Sequence, residues 1–249
     1  MKIVNLLLVA WLSNYLTLSA QSLEIYRIPA GAVATQLIPL QDQYRYRTFE
    51  EGNITYRNGT MPGIKLNYSF LYGEMQFVDA KGDTLALANE ANIKQIAIGE
   101  DLFYYLPGTG FVELIADLPV AGLVRKQVLQ VVDLADLYKN TGYHSSPGTY
   151  SGGISSPGGD TYVGDAPSFR QLFTRKATQD YKITRKVTFF MMDQNKRFYP
   201  VKRTTIVRLF PTYKKAIDEY LNGHQTDFRK EADLIQLLTF CNQLGRKGN

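Results

Sequence analysis

The strongest restriction on the fold of this chain is how closely its strand-like runs follow one another between residues 54 and 132. Ile54-Thr55-Tyr56-Arg57 leads directly into Asn58-Gly59. That dipeptide suits a tight hairpin because both residues accept positive φ. Lys65 to Phe70 alternates polar and apolar side chains, Tyr72-Gly73 turns it, and Glu74 to Val78 resumes. Lys81-Gly82-Asp83 makes the next turn, and Ile93–Ile98, Leu102–Leu106, Phe111–Asp117 and Val120–Val132 repeat the scheme. A parallel crossover consumes about a dozen residues, and these connections hold only a few, so the strands are antiparallel neighbours. The expected fold class is α+β: a mainly antiparallel β meander, as a curved sheet or half-open barrel, then a basic β-hairpin and a C-terminal helical hairpin.

That second half differs in kind. Residues 141–167 are dominated by Ser, Gly and Pro and read as a flexible loop, since nothing in them buries enough surface to offset ordering entropy. Tyr181 to Phe190 and Arg197-Phe198-Tyr199 flank the turn Asp193-Gln194-Asn195-Lys196, which predicts the hairpin. Tyr213, Ala216, Ile217, Tyr220 and Leu221 share one helix face, with Pro211 at its start and Asn222-Gly223 at its stop. Asp227 is placed as the cap of a second helix with the stripe Leu234, Leu237, Leu238, Cys241. The chain divides into 1–20, 21–140, 141–168, 169–201 and 202–249.

The first of these segments is an address. Lys2, the apolar run Ile3–Leu12 and Thr17-Leu18-Ser19-Ala20 describe a secretory signal peptide cut after Ala20. Ser13-Asn14 keep the run shorter than the roughly 20 residues a membrane span needs, and no other stretch is apolar enough. The expected location is periplasmic, outer-envelope-associated or secreted. Export permits disulfides, yet Cys241 is the sole cysteine, so core packing holds the fold.

Gly63-Ile64-Lys65-Leu66-Asn67-Tyr68 with Tyr72-Gly73-Glu74-Met75-Gln76-Phe77 resembles a repeated theme in uncharacterised secreted or periplasmic envelope proteins of Bacteroidota. So do Leu209-Phe210-Pro211, Lys214-Lys215-Ala216-Ile217, Asp227-Phe228 and Lys230 to Ile235. The resemblance implies an envelope or extracellular location and carries no catalytic residue or ligand with it.

Chemistry-bearing motifs are sparse. His144 and His224 stand far apart, without the spacing of a zinc site. No phosphate-cradling loop, dinucleotide fingerprint or nucleophile elbow occurs. No cofactor and no metal are expected. Asp79, Lys81, Asp83 and Glu90 fail the calcium-loop pattern, because Lys81 and Thr84 stand where an oxygen ligand and a glycine are needed; Asp79 to Asp83 is a hairpin turn. Glu74, Asp79, Glu100, Asp101 and Glu113 offer carboxylate pairs for glycoside hydrolysis only if the fold brings two together. A carbohydrate-active or other hydrolytic enzyme is the alternative function.

Charge carries the main functional expectation. Residues 21–120 have a net charge of −5 and residues 121–249 of +9. Arg175, Lys176, Lys182, Arg185, Lys186, Lys196, Arg197, Lys202 and Arg203 form the basic cluster, opposed in sequence only by Asp180 and Asp193. The expected protein is a non-catalytic interaction module for an anionic glycan, a lipid headgroup or an acidic protein surface. Export argues against nucleic acid. Alternation puts Lys182 and Thr184 on one strand face and Ile183, Arg185 and Val187 on the other, so the charges need not converge.

Overall fold

A computed structural model describes residues 25–132 and 169–247. The expected signal peptide, the expected Ser/Gly loop and His144 lie outside the described residues. Antiparallel pairing joins eleven strands: β1 (Ile25–Ile28), β2 (Glu50–Tyr56), β3 (Gly59–Ser69), β4 (Glu74–Val78), β5 (Thr84–Ala86), β6 (Ile93–Ile98), β7 (Asp101–Leu106), β8 (Gly110–Ala116), β9 (Ala121–Val132), β10 (Tyr181–Asp193) and β11 (Phe198–Pro200). Their order is β1-β10-β9-β8-β7-β6-β2-β3-β4-β5, with β11 also on β10. From β6 to β9 the order follows the chain, as short loops require. The hairpin turn after β4 is held by Asp79, whose Oδ1 accepts from the Lys81 and Asp83 amides at 2.9 Å each.

The sheet curls without closing. At the tip of the β3–β4 hairpin the Phe70 carbonyl accepts from the Leu129 amide at 2.7 Å, and the Tyr68 hydroxyl donates to the Gln127 carbonyl at 3.0 Å. Gly73 turns this tip at φ 65°, where an added Cβ would stand 2.8 Å from Val128 Cγ1. Only glycine fits both the backbone and the space.

Strands β9 and β10 pair over twelve positions, and their inner face serves two cores in succession. At one end Leu129, Val131 and Ile183 join Leu66, Tyr68, Ile96 and Phe103. Ala34 of α1 (Ala34–Leu37) and Leu172 and Phe173 of α3 (Phe169–Thr174) belong to the same core, and α2 (Leu40–Gln43) follows α1. At the other end Ala121, Leu123, Phe189 and Met191 meet α4 (Arg203–Leu209), α5 (Lys214–Gly223) and α6 (Glu231–Lys247) through Ile206, Ile217, Leu234, Leu237, Leu238 and Cys241. Tyr220 and Phe240 stack at 4.5 Å, so the two predicted helices do pack on each other. Helix α4 is additional, Pro211 opens a 3-10 turn before α5, and Asp227 lies in a turn ahead of α6 rather than capping it. Asn242 ties α6 to the sheet: its Oδ1 accepts from the Val120 amide at 2.7 Å and its Nδ2 donates to the Ala121 carbonyl. Among the described residues no helix is long and apolar enough to cross a membrane.

An ionic seam lies on the same inner face between the cores. Glu113 on β8 is 6% exposed. Its Oε1 takes Arg45 at 2.9 Å and its Oε2 takes Arg125 on β9 at 2.8 Å. Arg125 extends to Glu231 in the first turn of α6 at 2.7 Å, and Arg45 also reaches Asp101 at 3.3 Å. Removing one member of a buried ion set leaves the others desolvated and uncompensated, at a cost of about 3–5 kcal/mol. Glu113→Ala should therefore lower stability by about 3 kcal/mol in urea unfolding. Lys215→Ala, which breaks an exposed pair with Glu219, should change it by less than about 0.5 kcal/mol.

Candidate anion-binding face

The nine basic residues singled out in the sequence separate in the fold. Lys182 and Lys186 point outward from β10 and are exposed. Arg185, between them in alternation, turns inward: its guanidinium lies 4.2 Å over the Phe70 ring and donates to the Asp42 carbonyl. It belongs to the packing of the curl. Arg175 follows α3, and Lys176 bridges Val33 in the backbone. Lys196 and Arg197 sit at the β10–β11 turn, where the Lys196 ammonium lies 5.0 Å over Tyr104. Lys202 precedes α4, and Arg203 is held by Asp218 at 2.9 Å.

Register brings two further cations to Lys182 and Lys186. Arg27 on β1 is directly opposite Lys182, so both side chains leave the same face. Lys126 on β9 is opposite Thr188, which places it diagonally from Lys186, itself opposite Val128. Directly opposed residues stand about 4.5–5.5 Å apart at Cβ and diagonal ones about 7–8 Å, and like charges so placed are destabilising. Among the described residues none of these four cations has a carboxylate within ion-pair distance. The hydroxyl of Thr184 lies on the same face between Lys182 and Lys186, and it is buried with no hydrogen-bond partner among the described residues. Gln130 stands opposite it. With Thr188 opposite Lys126, and Val132 and Val128 opposite Lys182 and Lys186, the face combines four cations with three neutral polar side chains and two valines.

Lys126 records the crowding of charge. Burial first, and then the neighbouring Lys186 charge, bring its ammonium down from the usual 10.5 to about 8. Its Nζ donates to the Thr109 carbonyl.

Four of the five acidic candidates for catalysis are engaged elsewhere, and Glu100 is exposed on the β6–β7 turn. Both Glu113 oxygens are taken by guanidinium groups. Asp101 accepts from Arg45 and from the Tyr46 hydroxyl at 2.7 Å, and Glu74 from Arg170 and Gln76 at 2.7 Å each. Asp79 closes its hairpin turn. Among the described residues no group of three His, Cys, Asp or Glu side chains is gathered as a metal site. The His224 ring stacks on Tyr220 at 4.1 Å. Burial pushes the Cys241 thiol up to about 12, which leaves it unreactive at neutral pH.

No protein-family model matches the chain, and neither a curated protein nor a solved structure matches it. Function is therefore inferred from the chemistry of the face.

Because Lys126 titrates lower in the fold than in the unfolded chain, its contribution to stability is complete above about pH 10.5 and is lost as pH falls through about 8. NMR titration of the lysine side chains should find one ammonium with a midpoint near 8. Lys186→Gln should raise that midpoint part of the way toward 10.5, since burial still acts; an unmoved midpoint would show that the two charges do not meet.

Proposed function

We propose that this chain is an exported, non-catalytic binding module whose outer sheet face, Arg27, Lys126, Lys182 and Lys186, takes an anionic partner. The observation that carries this reading is the pairing of like charges. Arg27 faces Lys182 across the β1–β10 ladder, and Lys126 stands diagonally from Lys186 across the β9–β10 ladder. A sheet face that only needed solubility would gain from mixed signs. Two cation pairs without carboxylates among the described residues instead cost stability until an anion joins them. The signal-like N-terminus and the resemblance to envelope proteins favour a partner outside the cytoplasm.

Retention on immobilised dextran sulfate tests the face. Native protein should bind, and binding should weaken steeply with salt because exposed charges are screened within about 10 Å at 0.1 M. Lys182→Gln combined with Lys186→Gln should weaken it roughly tenfold, the loss of two exposed ion pairs, with the thermal midpoint nearly unchanged. Arg175→Gln with Lys176→Gln, elsewhere on the surface, should have little effect; equal loss in the two variants would overturn the assignment of the face. Export is tested separately: the mature N-terminus should be Gln21 or lie within a few residues of it, and recovery of intact Met1 from the cytosol would overturn that part.

A further inference from the structure

We infer that the anionic partner is a linear acidic polysaccharide that lies along β10 and bridges two cation pairs at once. This rests on the proposed anion-binding face and goes beyond it in ligand class and in mode of binding. The first pair is Arg27 with Lys182, and the second is Lys186 with Lys126. Four residues of antiparallel strand separate Lys182 from Lys186, about 14 Å at 3.4 Å per residue. One sulfate, phosphate or carboxylate group cannot touch both pairs. A ligand that neutralises the whole face must carry separated anions on an extended backbone.

Between the pairs the face is uncharged: Thr184 and Gln130 are its polar groups, and Val132 and Val128 stand opposite Lys182 and Lys186. Thr184 offers a hydroxyl without a partner among the described residues, and Gln130 stands across from it. These groups suit sugar hydroxyls positioned between acidic substituents. Two competing classes fit less well. An acidic peptide cannot join this part of β10 by strand addition, because Lys182, Ile183 and Thr184 already pair with β1 on one side and β9 on the other. A lipid surface would call for exposed apolar side chains beside the cations. Among the described residues the large exposed ones, Leu37, Leu40, Met61 and Leu85, all lie on other elements.

Bridging makes a specific demand on chain length. Once one pair is bound, the second contact becomes intramolecular, and its gain appears only when the ligand reaches across. Calorimetric titration with galacturonate oligomers of increasing length should therefore show weak binding for the monomer and dimer. Affinity should then rise about tenfold or more over a narrow range of length and level off. Lys182→Gln and Lys186→Gln, made singly, should each bring the long oligomer down toward the short one while hardly affecting the short one; unchanged thermal midpoints verify the fold. Lys126→Gln should remove the loss of affinity expected as pH rises through about 8, when the Lys126 ammonium of the free protein discharges.

Equal affinity per site for short and long oligomers would overturn the bridging inference and leave the anion-binding face standing. Polyglutamate or phosphatidylglycerol vesicles binding more tightly than the long oligomer, with the same sensitivity to Lys182 and Lys186, would overturn the ligand class and again leave the face. Failure of dextran sulfate, oligogalacturonate, polyglutamate and vesicles alike would remove the face and the inference together.

Discussion

The ladder between β9 and β10 is the element on which everything else depends. It is the longest pairing among the described residues, running from Ala121 opposite Asp193 to Val132 opposite Lys182. Its inner face supplies Leu129, Val131 and Ile183 to one core and Leu123, Phe189 and Met191 to the other. Its outer face carries Lys126, Lys182 and Lys186. A register slip of one residue would turn every one of these side chains to the wrong side. Burial in two cores therefore specifies the position of the cations as firmly as it specifies the cores themselves.

Between those cores Glu113 is the least replaceable charge. Two arginines that arrive from distant parts of the chain converge on it, and through Arg125 it reaches the first turn of α6. Such a buried set adds little net stability over apolar packing, and its removal piece by piece is costly. It engages Asp101 and Glu113 in holding Arg45 and Arg125. Glu74, Asp79, Asp101 and Glu113 thus serve the architecture, and the cations that lack a carboxylate partner among the described residues lie on the opposite face of the same sheet.

Part of that site was legible and part was not. Alternation along residues 181–190 separated Lys182 from Arg185, because side-chain direction in a strand is a local property. Arg185 has a partner, Phe70, more than a hundred residues away, and only the curl of the sheet brings the ring under the guanidinium. Arg27 and Lys126 drew no attention in the sequence, since each is a single cation in a short run. Their importance comes from standing beside Lys182 and Lys186 in the ladder.

The sequence by itself determined the antiparallel meander, the Asp79–Asp83 and Asp193–Lys196 turns, and the packed pair of C-terminal helices. These follow from turn chemistry, connection length and periodicity, all of which act within a few residues. Helix α4, the placing of Asp227 ahead of its helix, the ionic seam and the composition of the basic face were decided by tertiary structure. The physical reason is range. Local rules say which side chains share a face of a strand, whereas the neighbouring strand, its register and the face turned to the core are selected by the burial of the sheet as a whole.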